Sequence, residues 1–140
     1  MAQTYFGSTL RAGSGTLTDT TDGGYVVLAQ TTTVTTVAAG TASSASVTIP
    51  AYSQIIDFFV DTVQDEAVGG GTATAIAMTI GTAAAGTQYV SSTDVIGGGR
   101  IALTFTAAQL AAMADVTTNQ SVYITVDPNG TISTTQGIYR

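Results

Sequence analysis

Short segments in which apolar and polar residues alternate recur along this chain, and glycine-rich stretches separate them. Such a period of two places successive side chains on opposite faces of a β-strand. Threonine, at 28 of 140 positions, suits the same structure because its branched side chain packs well on a pleated surface. Strands without alternating helices are typical of a β-sandwich or barrel. We therefore predict an all-β fold: a single-domain antiparallel β-sandwich, jelly-roll-like, with one short helix.

The domain is expected to begin after a different kind of segment. Residues 1–24 are rich in glycine, serine and threonine, which predicts an extended N-terminal arm, either disordered or ordered only on a partner. The β-sandwich domain is then expected over 25–140. Its strands are predicted at 25–30 with the threonine-rich stretch that follows, 46–49, 54–63, 72–80, 100–105 and 121–126. A short irregular stretch is expected between Gln88-Tyr-Val90 and the glycine break at 97–99.

The segment 54–63 has the clearest division into two faces. Its core face is predicted to hold Ile56, Phe58 and Val60. The opposite face then carries Ile55, Asp57, Phe59 and Asp61. Because Phe59 stands between two carboxylates on the predicted outer face, it is a candidate partner contact: interfaces favour aromatic anchors.

Two further local patterns have a clear physical reason. Thr106 is followed three residues later by Gln109, a capping box that predicts a helix of one or two turns over 110–114. The turn sequence at 127–130 contains Pro and Asn-Gly, which favour a tight turn. We therefore predict that a hairpin joins the strand at 121–126 to a returning strand over 131–140.

The inventory of reactive side chains argues against an enzyme. The chain has no His, Cys, Lys or Trp, so it can form neither a Ser-His-Asp triad nor a thiolate metal site. Asp57 and Asp61, four residues apart on a strand, would be about 13 Å apart, too far for glycoside hydrolysis. The acidic pairs Asp65–Glu66 and Asp19–Asp22 could offer oxygen ligands, but they are better explained as solvated acids. We predict no catalytic residue, no metal ligand and no cofactor.

Charge limits the range of partners. The formal net charge is −6, with only Arg11, Arg100 and Arg140 as cations. Such a chain has no basic surface for nucleic acid or anionic lipid, so neither is an expected partner. The first residues lack the basic region and apolar run of a secretion signal, and the most apolar stretch, 55–60, is too short to span a bilayer. We expect a soluble protein made in the cytoplasm.

Three segments resemble the small decoration, or cement, proteins of tailed-bacteriophage capsids. They are the run Ala45-Ser-Val-Thr-Ile-Pro-Ala-Tyr-Ser-Gln-Ile-Ile-Asp-Phe-Phe-Val-Asp61, the later Ala77-Met-Thr-Ile-Gly81, and the closing Val122-Tyr-Ile-Thr-Val-Asp-Pro-Asn-Gly-Thr131 with Gly137-Ile-Tyr139. In that family a strand ending in Ile-Pro leads through a turn into the next core strand, and a late hairpin closes a jelly-roll sandwich. The resemblance rests on the general character of these segments and on the order of the strands, rather than on a short diagnostic site.

The resemblance implies a structural virion protein on the outer capsid surface. Its partners would be the major capsid protein and further copies of itself, as a homodimer or homotrimer that bridges neighbouring capsomers. Tyr5, Phe6 and Leu10 would anchor the arm on such a partner. An alternative is a phage fibre or host-surface glycan-binding module, which would show a concave patch of aromatic and acidic side chains. An enzyme would require carboxylates and tyrosines from distant strands to meet.

Overall fold

Two four-stranded antiparallel sheets pack face to face. A computed structural model describes residues 27–37, 39–65, 71–132 and 135–140. The arm expected at 1–24 lies outside these residues. The strands and the helix, in chain order, are β1 (Val34–Thr35), β2 (Ser43–Ile49), β3 (Val60–Gln64), β4 (Ile76–Gly81), β5 (Val90–Asp94), β6 (Gly99–Ile101), α1 (Ala107–Ala114), β7 (Gln120–Pro128) and β8 (Ile138–Tyr139).

The strand pairing is that of a jelly roll. Sheet 1 has the order β1-β8-β3-β6, and sheet 2 has the order β2-β7-β4-β5. The first strand therefore pairs with the last, the second with the seventh, the third with the sixth and the fourth with the fifth, all antiparallel. This nesting arises when one long hairpin is rolled into two sheets. The prediction of an all-β sandwich with one short helix is confirmed.

Alternation along β2 and β4 sets which side of sheet 2 faces the core. In β2 every second residue is exposed, as expected for a strand with one solvated face. In β4 the bulky Ile76, Met78 and Ile80 are all buried, while Ala77 and Thr79 between them are only half-buried. The strands predicted at 46–49 and 72–80 are therefore confirmed in position, although β2 begins three residues earlier and β4 begins at Ile76.

The strand predicted at 25–30 is wrong as far as the structure describes it. Residues 27–33 form no strand, and Val27 and Leu28 are exposed. Gln30 bonds to the carbonyl oxygen of Thr48 through its side-chain amide rather than through its backbone, at 2.9 Å. The chain joins a sheet only at β1, because a run of β-branched residues favours a strand but supplies no pairing partner.

The predicted faces of 54–63 are partly wrong. Val60 is buried and Phe58 half-buried as expected, but Ile55 is in the core and Ile56 is exposed. The strand itself starts only at Val60. The backbone N–H of Ile55 donates to the carbonyl of Met113 at 2.9 Å, which turns this residue inward against α1. A period of two therefore fails here, because the segment before β3 packs against a helix rather than pairing with a neighbouring strand.

The predicted terminal hairpin is also wrong. After β7 the chain does not return along sheet 2 but crosses to sheet 1, where it forms β8. The turn residue Asn129 accepts hydrogen bonds from the backbone of Thr74 and Ala75, and Thr131 exchanges hydrogen bonds with Thr72. These contacts with the chain before β4 occupy the groups that a local hairpin would have used.

Strand β5 was not predicted, and strand β6 is shorter than predicted. The polar sequence of β5, Val-Ser-Ser-Thr-Asp, forms the edge of sheet 2 in the stretch that was expected to be irregular. β6 ends at Ile101, although Leu103 and Phe105 beyond it are half-buried against the core. Both differences arise because pairing with a longer neighbour, rather than residue type, decides whether an edge segment is a strand.

The helix begins as predicted. Thr106 is the N-cap of α1, and its hydroxyl accepts a hydrogen bond from the backbone N–H of Gln109 at 3.3 Å. The Gln109 side chain in turn accepts from the N–H of Thr106 at 2.8 Å, which completes the capping box. Gln109 is buried, and its amide nitrogen donates to the hydroxyl of Ser91 at 3.0 Å. The cap therefore also fastens α1 to the edge strand of sheet 2.

The long strands of sheet 2 are covered by two different layers. Its strand-covered half packs Ile76, Met78 and Val126 against Val34 and Tyr139 of sheet 1. Its helix-covered half packs against α1 and the connection between β2 and β3 (residues 50–59). The buried side chains of this second half are Ile55, Ile80, Tyr89, Val90, Met113, Val116 and Val122. Sheet 1 is too short to cover sheet 2, so helix and loop complete the sandwich.

Candidate functional site

The most distinctive surface feature is an aromatic ring, a guanidinium and a carboxylate in contact, which we call the Phe59 patch (Phe59, Asp61 and Arg100). In the pairing of β3 with β6, Asp61 lies opposite Arg100, and the neighbouring pair Val60–Ile101 faces inward. The alternation of side chains therefore directs Asp61 and Arg100 outward. The Arg100 guanidinium lies 5.3 Å from the centre of the Phe59 ring, and its Nε donates to Asp61 Oδ1 at 3.1 Å.

The electrostatics of the Phe59 patch follow from this geometry. The hydrogen bond and charge of Arg100 hold the pKa of Asp61 below its usual value, and Asp61 raises the pKa of Arg100 in the same way. Asp61 is therefore a weak base and stays ionised at neutral pH. Because both groups are in contact with solvent, the pair contributes little to stability. Its effect is to hold the guanidinium over the ring.

An open groove runs beside the patch, with a volume of about 440 Å³. Its walls combine apolar side chains with one acidic and one basic group. They are formed by Asp57, Phe58, Phe59, Arg100, Ile101, Ala102 and Leu103. The Asp57 carboxylate accepts a hydrogen bond from the backbone N–H of Phe58 at 2.8 Å, which fixes its position at the rim. Stacking on a ring and hydrogen bonds to two opposite charges are the interactions that this groove can offer.

The connection between β2 and β3 exposes three large apolar side chains within eight residues. They are Tyr52, Ile56 and Phe59, with exposed fractions of 89%, 70% and 65%. Exposed apolar side chains that occur singly are ordinary, whereas several on one segment indicate a contact surface. The aromatic anchor predicted at Phe59 therefore has the exposure that a contact requires.

Sequence reasoning missed Tyr52 and Ile56. The segment Pro50–Ser53 forms a turn, and a period of two cannot be carried across a turn. The proline was the available signal that the strand alternation stops there. The predicted contacts Tyr5, Phe6 and Leu10 lie outside the described residues and stay predictions.

The carboxylates are not brought together as a reactive group. Asp61 pairs with Arg100. Asp94 accepts from the backbone N–H of Ile96 at 3.1 Å and from that of Ile76 in β4 at 3.0 Å, so it is engaged in holding the end of β5. Within 27–37, 39–65, 71–132 and 135–140, no three acidic side chains are placed to hold a metal ion. Glu66, the neighbour of Asp65, is outside these ranges. Two buried hydroxyls in the same ranges, those of Thr62 and Thr79, have no hydrogen-bond partner.

Comparison with known proteins adds no relative to this description. Among the residues that the structure describes, no helix is long and apolar enough to cross a membrane. No protein-family model, no curated protein and no solved structure matches this chain. The geometry of the Phe59 patch and of the 50–59 connection is therefore the basis for assigning a function.

Proposed function

We propose that this protein is a structural virion protein that binds the outer surface of an icosahedral phage capsid and stabilises it by bridging capsomers. The Phe59 patch carries the proposal. Aromatic and arginine side chains are the residue types that most often dominate binding energy at protein interfaces. Here they are combined on a sheet, next to an apolar groove. We assign the contact with the major capsid protein to this surface.

The rigidity of the patch supports this assignment. Phe59 immediately precedes β3, and Arg100 lies in β6, which is paired with β3. The stacking and the ion pair restrict the long Arg100 side chain before any partner arrives. A side chain that is already ordered loses less conformational entropy on binding. A surface of this kind can bind a repeating shell with few contacts per copy.

Multivalent binding would allow a protein with few charged side chains to attach firmly to the shell. A homodimer or homotrimer on the shell would make its second contact intramolecular, so that individually weak contacts add to a strong attachment. The N-terminal arm is a further candidate contact. If Tyr5, Phe6 and Leu10 anchor it, deletion of residues 1–12 should abolish capsid binding and leave the thermal unfolding transition in place. Unchanged binding by the deletion variant would exclude this role of the arm.

The test is co-sedimentation of the purified protein with phage heads assembled without it. Saturable binding at a fixed ratio to the shell subunit, with heads that resist heat better, is the expected result. Phe59→Ala and Arg100→Ala should each weaken binding about tenfold or more. Val63→Ala is the matched control, because Val63 is an exposed apolar residue of β3, the strand that Phe59 immediately precedes. Equal binding by Phe59→Ala and Val63→Ala would remove the patch from the capsid contact.

The groove favours a second candidate, a fibre or host-surface glycan-binding module. Sugars stack on aromatic rings and bond to carboxylates, and the groove presents Phe59 beside Asp57. This candidate predicts binding to host cells or their polysaccharide in the absence of any capsid. Asp57→Asn should then weaken glycan binding as much as Phe59→Ala does. Binding to heads without binding to cells would decide in favour of the capsid.

A further inference from the structure

Tyr52 combines two properties that a structural role does not explain. Its backbone φ is +60°, in the left-handed region that disfavours residues with a side chain. Its side chain is the most exposed of the large apolar residues that the structure describes. Glycine or asparagine would adopt this backbone conformation more easily. The conformation therefore lowers the stability of the fold, and the exposed ring makes too little contact with the domain to offset that loss.

Hydrogen bonds from the segment after α1 hold the turn in this conformation. The N–H of Tyr52 donates to the carbonyl of Val116 at 2.6 Å, and the N–H of Val116 donates to the carbonyl of Ser53 at 2.9 Å. The N–H of Ala51 donates to Asn119 Oδ1 at 2.9 Å. Three bonds on three consecutive residues fix the turn to the domain. Strain that is fixed in this way is typical of positions retained for function.

The surroundings indicate what kind of surface Tyr52 would meet. Ile56 is exposed and follows Ile55, whose N–H donates to the carbonyl of Met113 in α1. Leu110, one turn before Met113 on the same helix, is 53% exposed. Two charged residues adjoin this segment: Asp57 follows Ile56, and Asp115 precedes Val116, whose carbonyl accepts from Tyr52. Both are acidic and exposed. A second copy that met this surface face to face would oppose like charges. A basic partner would be attracted.

We propose that Tyr52, with Ile56 and Leu110, anchors a docking surface for a basic site on the capsid shell. This inference rests on the proposed function and names the chemistry of its partner. The phenol ring inserts into an apolar pocket of the shell subunit that is bordered by lysine or arginine side chains. Asp57 and Asp115 face those cations. A ring presented by a rigid turn loses little freedom on insertion, which is how a strained turn contributes to affinity.

The decisive variant is Tyr52→Gly, which removes the ring and relaxes the backbone. We expect at least tenfold weaker co-sedimentation with phage heads assembled without the protein, and a Tm that is unchanged or higher. Ala85→Gly is the matched control, because Ala85 also has a positive φ, of +58°, but a side chain too small to anchor. It should leave binding at the wild-type level. Wild-type binding by Tyr52→Gly would overturn the proposal.

Two further measurements separate the partner from its alternatives. The double variant Asp57→Asn, Asp115→Asn should bind heads more weakly and with a smaller dependence on salt, since it removes the charges that steer association. An unchanged salt dependence would overturn the basic character of the partner. Sedimentation velocity of Tyr52→Gly should show the wild-type oligomeric state. Loss of self-association would instead make a second copy the occupant and overturn the proposal.

The outcomes for the two proposals are distinct. If the wild-type protein does not bind heads at all, both the proposed function and the docking surface fail. If the wild-type protein binds and Phe59→Ala weakens binding while Tyr52→Gly does not, the proposed function stands and only the Tyr52 surface fails.

Discussion

The two halves of sheet 2 are covered in different ways, although the same strands run through both. Over the strand-covered half, the covering layer is sheet 1, whose backbone groups pair with one another in ladders. Over the helix-covered half, α1 and residues 50–59 replace that layer. Individual hydrogen bonds hold these residues, such as those of Tyr52 to Val116 and of Ile55 to Met113. The layer over the strand-covered half is held by the repeated hydrogen bonds of a sheet, and the layer over the helix-covered half by a few individual hydrogen bonds.

This difference teaches where a sandwich can carry a binding surface. A paired strand must send every second side chain inward, so few large apolar residues are free to face solvent. Residues 50–59 have no such restriction before β3 begins, and they present Tyr52, Ile56 and Phe59 to solvent. The irregular segment supplies the exposed apolar side chains, and the paired strands β3 and β6 contribute only Asp61 and Arg100 of the Phe59 patch.

The largest effect that tests this contrast is expected from truncation of each core. Ile76→Ala in the strand-covered half should lower the free energy of unfolding by about 3 to 4 kcal/mol, because two hydrogen-bonded sheets cannot easily move together to close a cavity. Met113→Ala in the helix-covered half should cost about 2 kcal/mol, since a helix held by a few contacts can settle inward. Both side chains are buried, with exposed fractions of 0% for Ile76 and 2% for Met113, which makes the pair comparable. Urea denaturation measures the two values, and a larger loss for Met113→Ala would contradict the contrast.

A substitution at a glycine tests how tightly the strand-covered half is closed. Gly40, between β1 and β2, has a φ of +69°, and a Cβ there would overlap the carbonyl group of Gly130. Gly40→Ala should therefore destabilise the fold by about 2 kcal/mol, more than strain alone would. Gly99→Ala is the control, because Gly99 has a φ of +82° but open space around it. Its cost should be about 1 kcal/mol. Equal midpoints of thermal unfolding for the two variants would show that the contact with Gly130 has no effect.

The capping box tests the helix-covered half. Thr106→Ala should cost about 1 kcal/mol, because it leaves the N–H of Gln109 without its acceptor. Fraying of α1 should then weaken the hydrogen bonds that other residues make with the helix and with the segment after it. We expect faster hydrogen exchange at the amides of Ile55 and Val116, with unchanged exchange in the strand-covered half at Val126. Thr104→Ala, an exposed position in the segment before α1, is the control. Uniform acceleration across both halves would mean that they unfold as one unit.

The smallest effect is expected from the ion pair of the Phe59 patch. Since Arg100 holds the pKa of Asp61 below its usual 3.8, the pair stabilises the fold fully above that value and ceases to do so as the pH falls below it. Asp61→Asn should slightly flatten the fall of Tm in acid and leave Tm near pH 7 almost unchanged, because the pair is exposed. Arg100→Gln should reproduce this behaviour. A steep loss of Tm at pH 7 in either variant would show that the pair supports the fold.

Prediction from the sequence succeeded where the signal is local. The capping box at Thr106 was predicted because its hydrogen bonds join residues three apart, and the strand at 72–80 was predicted because its alternation is local. The same kind of signal failed for the hairpin after β7. Asn129 and Thr131 bond to residues 72–75, more than fifty positions earlier, and no local pattern reports that contact.

The candidate site divides in the same way. Phe59 was predicted on the outer face, because it alternates correctly with Val60 at the start of β3. Its contact with Arg100 was not predicted, since the pairing of β3 with β6 is set by the fold. Ile56 was placed in the core and is exposed, because α1, rather than a strand, lies opposite this segment. Tyr52 was overlooked because the turn at 50–53 interrupts the alternation.

By itself the sequence determined that this chain forms strands with one short capped helix, and which side chains could supply a core or a charge. These properties depend on neighbouring residues, through φ and ψ preferences and periodicity. Only the tertiary structure decided the jelly-roll pairing, the replacement of sheet 1 by α1 over half of sheet 2, and the juxtaposition of Phe59, Asp61 and Arg100. Those features depend on contacts between residues distant in the chain, and the hydrogen bonds and buried surface that select them exist only after the sheets have met.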